Sequence, residues 1–114
     1  MLYIQASIAK KMNDDTKNKL QMELATQITA IPGKNIDNTV ITINDGLTMY
    51  KHGKPLDGAF FDIRMFKDSP QDAKKAYAEC VFAIVEAVLD VPADNVSINY
   101  TEMSEWAAGG NYMS

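Results

Sequence analysis

Apolar and polar residues alternate at the start of the chain. Leu2, Ile4, Ala6 and Ile8 are separated by Tyr3, Gln5 and Ser7, the period of a half-buried strand. Asn13 with Asp14 and Asp15 then reads as a helix start, with acids at the positive end of the helix dipole. Leu20, Leu24, Ile28 and Ile31 continue as a helical stripe, and Pro32-Gly33 stops it. Thr39 to Asn44 is a β-branched run that predicts a second strand. Gly46 to Gly58 reads as a loop. The same order follows again: a strand over Ala59–Phe66, then Ser69-Pro70-Gln71-Asp72 as an N-cap with Pro at the first helical position. A stripe of Ala73, Tyr77, Val81, Ile84 and Val88 ends at Val91-Pro92, and Asn95–Glu102 is the fourth strand. The tail from Trp106 to Asn111 reads as a turn with an aromatic anchor.

Shifting the chain by half its 114 residues aligns it with itself without a gap. Only eight of the 57 pairs are identical, among them Lys10/Lys67, Lys17/Lys74, Asn38/Asn95 and Gly53/Gly110, so the apolar pattern carries the comparison. Ile4/Phe61, Ala6/Ile63, Ile8/Met65, Leu24/Val81, Ile28/Val85 and Ile31/Val88 match in character. Two repeats of this length predict duplication inside one domain, residues 1–57 and 58–114. Each half is a βαβ unit with parallel strands, and such crossovers are right-handed. Both helices then share one face of a four-stranded mixed sheet, an α+β fold. The other face is bare: Tyr3, Gln5, Ser7, Val40, Thr42, Phe60, Asp62, Arg64, Phe66, Ser97, Asn99 and Thr101. Sheets of parallel units are rarely left open on one side, so a closed homo-oligomer is expected.

Composition narrows the function classes. Hydrophobic residues are 46% and charged residues 23%, an ordinary globular balance. The net charge of −4 argues against nucleic acid and anionic membranes as partners, because phosphate binding needs a basic surface. No apolar run reaches the ~20 residues of a membrane span, and the start lacks a signal peptide's basic and apolar regions. A cytoplasmic protein is expected. One cysteine and one histidine cannot build a disulfide or a zinc cluster, so neither metal nor cofactor is expected. Cys80, on the second helix, reads as a buried inert thiol. His52, in a Lys-rich loop, is given no catalytic role. Asp62 and Arg64 read as an ion pair between subunits, and Trp106 as an anchor on a neighbouring chain.

Two stretches carry a resemblance. Val96-Ser97-Ile98-Asn99-Tyr100-Thr101-Glu102-Met103 is close to a "V-Y-I-N-Y-x-D-M" strand, and Gly33-Lys34 matches part of a "G-K-P" segment. With the duplicated plan, these resemble the tautomerase superfamily, in its macrophage migration inhibitory factor branch. The resemblance implies a trimer of about 115-residue chains acting on small 2-keto acids or their enols. It implies catalysis by an N-terminal proline whose amine, in an apolar pocket, has a lowered pKa and removes a proton beside a carbonyl. This chain has Leu2 at that position. Leu is too large for ordinary removal of the initiator Met, so the available amine is that of Met1, one residue (~3.3 Å of strand) beyond. The remaining pocket positions implied are Leu2 itself, Lys34 for the substrate's acid, Phe66 in place of a smaller apolar residue, Ser97 in place of a tyrosine, and Asn99 as an amide donor. Two functions follow: a divergent keto–enol tautomerase of weak activity, or a non-catalytic trimer that binds a small acid or a protein partner.

Overall fold

The computed structural model describes residues 1–114. The elements are β1 (Leu2–Ile8), α1 (Asp14–Gln27), β2 (Thr39–Asn44), β3 (Tyr50–Lys51), β4 (Lys54–Pro55), β5 (Ala59–Phe66), α2 (Gln71–Leu89), β6 (Val96–Met103), β7 (Trp106–Ala108) and β8 (Asn111–Met113). The main sheet has the order β2-β1-β5-β6. Its outer pairs, β1 with β2 and β5 with β6, are parallel, and the central pair β1–β5 is antiparallel. The sheet is therefore mixed, and both helices cover one face of it. Alternation decides which side chains meet them. Leu2, Ile4, Ala6 and Ile8 of β1 and Ala59, Phe61, Ile63 and Met65 of β5 are buried, joined by Leu20, Leu24, Tyr77, Val81 and Val85 from the helices. The two helices meet through a buried hydrogen bond, in which the Tyr77 hydroxyl donates to the Leu24 carbonyl at 2.8 Å. No helix is long and apolar enough to cross a membrane.

The halves correspond element by element at a spacing of 57 residues. Short 3-10 turns precede β2 and β6 at Ile36–Asn38 and Ala93–Asn95. The backbone is left-handed just past each helical segment, at Gly33 (φ 77) and Asp90 (φ 56). The correspondence extends to two hairpins where the sequence reading expects a loop and a turn. β3 pairs with β4 and β7 with β8. Both turns place two successive residues at positive φ, His52-Gly53 and Gly109-Gly110, the conformation that tight two-residue hairpins require. Three further expectations are corrected. Ser69 does not cap α2: the helix starts at Gln71 with Pro70, extended and without a side-chain acceptor, before it. Asn13 does cap α1, accepting from the Thr16 amide at 2.8 Å. Arg64 and Asp62 already meet within one strand at 3.4 Å, because residues two apart project from the same face, so their pairing needs no second chain. Cys80 is half-buried rather than enclosed.

One carboxylate in each half holds the loop that leads into its helix. Asp45, after β2, accepts from the Met12 amide at 2.7 Å and pairs with Lys17 at 3.4 Å. Glu102, near the end of β6, accepts from the Ser69 amide at 2.6 Å and pairs with Lys74 at 3.0 Å. The backbone amides, helped by the lysines, hold both carboxyls below their ordinary range. A lowered folded-state pKa stabilises above the unfolded value and loses that stabilisation as pH falls through the folded value. Thermal stability is therefore expected to fall as pH drops below about 4, where unfolded carboxylates protonate. Thermal melts from pH 6 to pH 3 check this. The Asp45→Asn, Glu102→Gln double variant should show a shallower dependence than wild type, and an equally steep one would contradict it.

Candidate functional site

The site forms where the start of β1 lies beside the end of β5. The register Leu2↔Met65 brings Met1 alongside Phe66, and the Phe66 amide donates to the Met1 carbonyl at 3.0 Å. The turn after α1 then delivers Lys34 to the same corner. Gly33 provides the left-handed step, and the Lys34 amide closes the turn onto the Ile31 carbonyl at 3.1 Å. The Lys34 ammonium donates to the Phe66 carbonyl at 3.1 Å and reaches to 3.5 Å from the Met1 carbonyl. No carboxylate pairs with it. An ammonium has three protons to donate, so one remains for a ligand. Partial burial first, and then the Lys34 charge, hold the Met1 amine below the ordinary α-amine range. A cation and an amine with a lowered proton affinity thus share one corner of the sheet. That pairing can hold an anion and accept a proton beside it.

The five pocket positions do not all converge in one chain. Lys34 and Phe66 meet as described. Leu2 supplies only backbone there, because its side chain is fully buried in the core. Asn99 and Ser97 lie on β6, facing the bare side of the sheet and exposed. Asn99 is opposite Asp62, which is opposite Gln5. That places Asn99 two strands across from β1 and about 10 Å along from the Leu2 row, with Ser97 two residues farther. The sequence reading missed Lys67. This residue is left-handed (φ 67) and its ammonium stands 5.3 Å from the centre of the Phe66 ring. With Asp68 and Ser104 it lines an open cleft of about 380 Å³. A larger groove of about 470 Å³ runs between α1 and β2. Its cation, Lys17, is already paired with Asp45, so it offers less to an acid than the Lys34 corner. No three His, Cys, Asp or Glu side chains converge as metal ligands.

The second half provides an internal comparison. Its counterpart of the Met1–Phe66 contact is the Ala9 amide donating to the Gly58 carbonyl, also at 3.0 Å. The residue corresponding to Lys34 is Val91, which is fully buried, and Gly58 has no room for a side chain, since a Cβ would lie 2.7 Å from the Asn95 carbonyl oxygen. One backbone frame is therefore built twice, and only one copy carries the lysine and opens to solvent.

The family model for macrophage migration inhibitory factor matches residues 1–113. The chain belongs to that family. Solved structures agree on the fold. Leishmania major MIF2 superposes with a TM-score of 0.91 at 14% identity, covering 99% of this chain and 97% of that one. The macrophage migration inhibitory factor-like protein of Entamoeba histolytica gives 0.87 at 16% identity, with 98% of each chain covered. A fused 4-OT described as a symmetric trimer gives 0.85 at 14% identity, covering 96% and 94%. Among curated proteins, none matches the chain in sequence. At these identities the likeness speaks for the fold, and the chemistry of this member of the macrophage migration inhibitory factor family has to be read from its own residues.

Proposed function

We propose that this member of the macrophage migration inhibitory factor family is a cytoplasmic homotrimer that binds small 2-keto acids and enolises them slowly. The observation that carries the reading is the Lys34 ammonium, held by the Phe66 carbonyl at 3.1 Å next to the Met1 amine, in one half of the chain and not in the other. Lys34 pairs with the ligand's carboxylate. The Met1 amine takes a proton from the carbon beside the ketone, and the ammonium so formed returns it to the enolate oxygen, giving the enol and the free amine. Asn99 and Ser97 complete the pocket from a neighbouring copy, since neither reaches Lys34 within one chain. The trimer reading rests on the bare face and on two sheet edges, β2 and β6, that have no partner strand. Val40 and Phe60 are more than 40% exposed on that face, and burying such residues between copies is favourable. The solved fused 4-OT trimers share the architecture.

The second reading, a trimer that binds acids without catalysis, has its own support. The nitrogen of residue 2, where the family resemblance puts the catalytic amine, is here the peptide nitrogen of Leu2 and cannot act as a base.

Phenylpyruvate tests both readings. Binding by isothermal titration and enolisation by ultraviolet absorbance are measured on protein whose intact mass shows whether Met1 is retained. Lys34→Ala is expected to weaken binding at least ~10-fold, the value of a hydrogen-bonded charge pair. The slow turnover should rise with pH through a midpoint below the ordinary α-amine value of about 8. In Lys34→Ala that midpoint should move up, because the neighbouring positive charge is gone. Binding without turnover would select the second reading. Sedimentation equilibrium should give the mass of three chains, and a monomer at micromolar concentration would contradict the proposed pocket.

A further inference from the structure

We infer that Glu102 is a positioning residue for the Lys34 site, acting through the loop that leaves Phe66. Phe66 contributes its amide to Met1 and its carbonyl to Lys34, so whatever fixes the peptide after Phe66 fixes the acceptor that aims the lysine. That peptide leads directly into Lys67, a non-glycine residue at φ 67. A side chain in the left-handed region is strained and persists only where surrounding contacts hold it. Two contacts do so here. The Lys67 amide donates to the Met103 carbonyl at 2.7 Å. Two residues on, the Ser69 amide donates to Glu102 at 2.6 Å, and Lys74 of α2 holds the same carboxylate at 3.0 Å. β6, the loop and α2 are thereby joined at one carboxylate.

The molecule contains its own control. Asp45 makes the same set of contacts in the first half, to the Met12 amide and to Lys17. The loop it holds follows Ala9, and Lys10, the counterpart of Lys67, is not at positive φ. The frame there ends on buried Val91 rather than on a lysine. The two carboxylates thus do equal structural service, and only Glu102 has a ligand site downstream of it. The inference rests on the Lys34 corner being a ligand site for its consequence, while the positioning itself can be read without a ligand.

The experiment compares Glu102→Ala with Asp45→Ala on the full chain. Amide hydrogen exchange by NMR is read at Phe66, Lys67 and Ala9, and phenylpyruvate affinity is read by titration. Glu102→Ala should raise exchange at Phe66 and Lys67 by about tenfold more than the loss of global stability explains, the equivalent of one charged hydrogen bond. Ala9 should be unaffected. Asp45→Ala should do the reverse, with Ala9 exchanging faster and Phe66 unchanged. Glu102→Ala should weaken phenylpyruvate several-fold and Asp45→Ala should not. Glu102→Gln keeps an acceptor oxygen for Ser69 and should recover most of the protection. If Glu102→Ala does not fold, a smaller rise at Phe66 in Glu102→Gln than in Asp45→Asn overturns the inference, and a larger one supports it. Equal effects of both carboxylates on Phe66, or none, also overturn it. If wild type does not bind phenylpyruvate while the exchange contrast holds, the ligand reading fails and the positioning by Glu102 stands.

Discussion

Tyr77→Ala should bring this fold close to the limit of its stability. Tyr77 is fully buried and opens the buried stripe of α2, with Val81, Ile84, Val85 and Leu89 following on the same side. Removing a buried aromatic side chain costs about 3–5 kcal/mol, because apolar contact is lost and a cavity remains. A domain of this size has about 5–15 kcal/mol in total. Tyr77 also joins the two helices through its hydroxyl on the Leu24 carbonyl. Burial raises its pKa well above the ordinary phenol value, so the neutral O–H is the form the fold keeps as a donor. Tyr77→Phe removes that bond alone and should cost about 1–2 kcal/mol. Urea titration followed by circular dichroism, at a fixed chain concentration because assembly adds to stability, separates the two. A midpoint for Tyr77→Ala within error of wild type would mean that the helices do not depend on each other through this residue.

Tyr77 also shows why most of the fold was legible from the chain. Its place in a helical stripe, and the strict alternation of β1 and β5, follow from burial against a single layer, and burial of that kind leaves a period in the sequence. The spacing of 57 residues made the two halves visible because matching positions face matching sides of one core. The hairpins were not legible in this way. Tyr50–Lys51 and Lys54–Pro55 are all exposed, so no alternation marks them, and only the Gly53/Gly110 identity hinted at paired turns. The same spacing also sets Asp45 over Glu102 and Lys17 over Lys74, a repeated acid–lysine pair that was open to view in the chain and reads as a shared clamp only once the amides of Met12 and Ser69 are placed. Ser69 does not cap because the helix begins at Gln71, which puts Pro70 in the cap position; the Ser69 amide instead ties the loop to Glu102, 33 residues away.

The candidate site was less legible, because its parts meet through backbone rather than through any spacing. Lys34 lies 32 residues from the Phe66 carbonyl it binds. Sequence reasoning singles it out mainly by family resemblance, and the backbone carbonyls that hold it leave no mark in the sequence. Asn99 and Ser97 were placed in the pocket in the same way, and the register of β6 puts them out of reach of Lys34 in one chain. The pocket proposed above, shared between copies, would leave no pattern that a single sequence can show.

The largest gain of activity should come from restoring a secondary amine at residue 2. A Leu2→Pro chain from which Met1 has been removed places a proline nitrogen at the start of β1, beside the Lys34–Phe66 contact, and gives up the Met1 carbonyl that Phe66 and Lys34 also reach. Proline is tolerated as the first residue of a strand. The substitution sacrifices a fully buried Leu side chain, so a stability loss of about 1–3 kcal/mol is expected, from reduced burial in the core. The gain is a base where the present chain has a peptide nitrogen. Its amine would be desolvated by the same surroundings that lower the Met1 amine, and would feel the same Lys34 charge. A well-placed general base contributes about 10²–10⁴-fold to rate, so phenylpyruvate enolisation should rise by at least ~10²-fold over wild type. Adding Lys34→Ala to the proline variant should abolish most of that rise by loosening the substrate's carboxylate. If the proline variant folds, forms the same oligomer and still shows no increase, the amine is not what limits this chain. The loss would then lie in the rest of the pocket, with Ser97 and Phe66 the first positions to exchange.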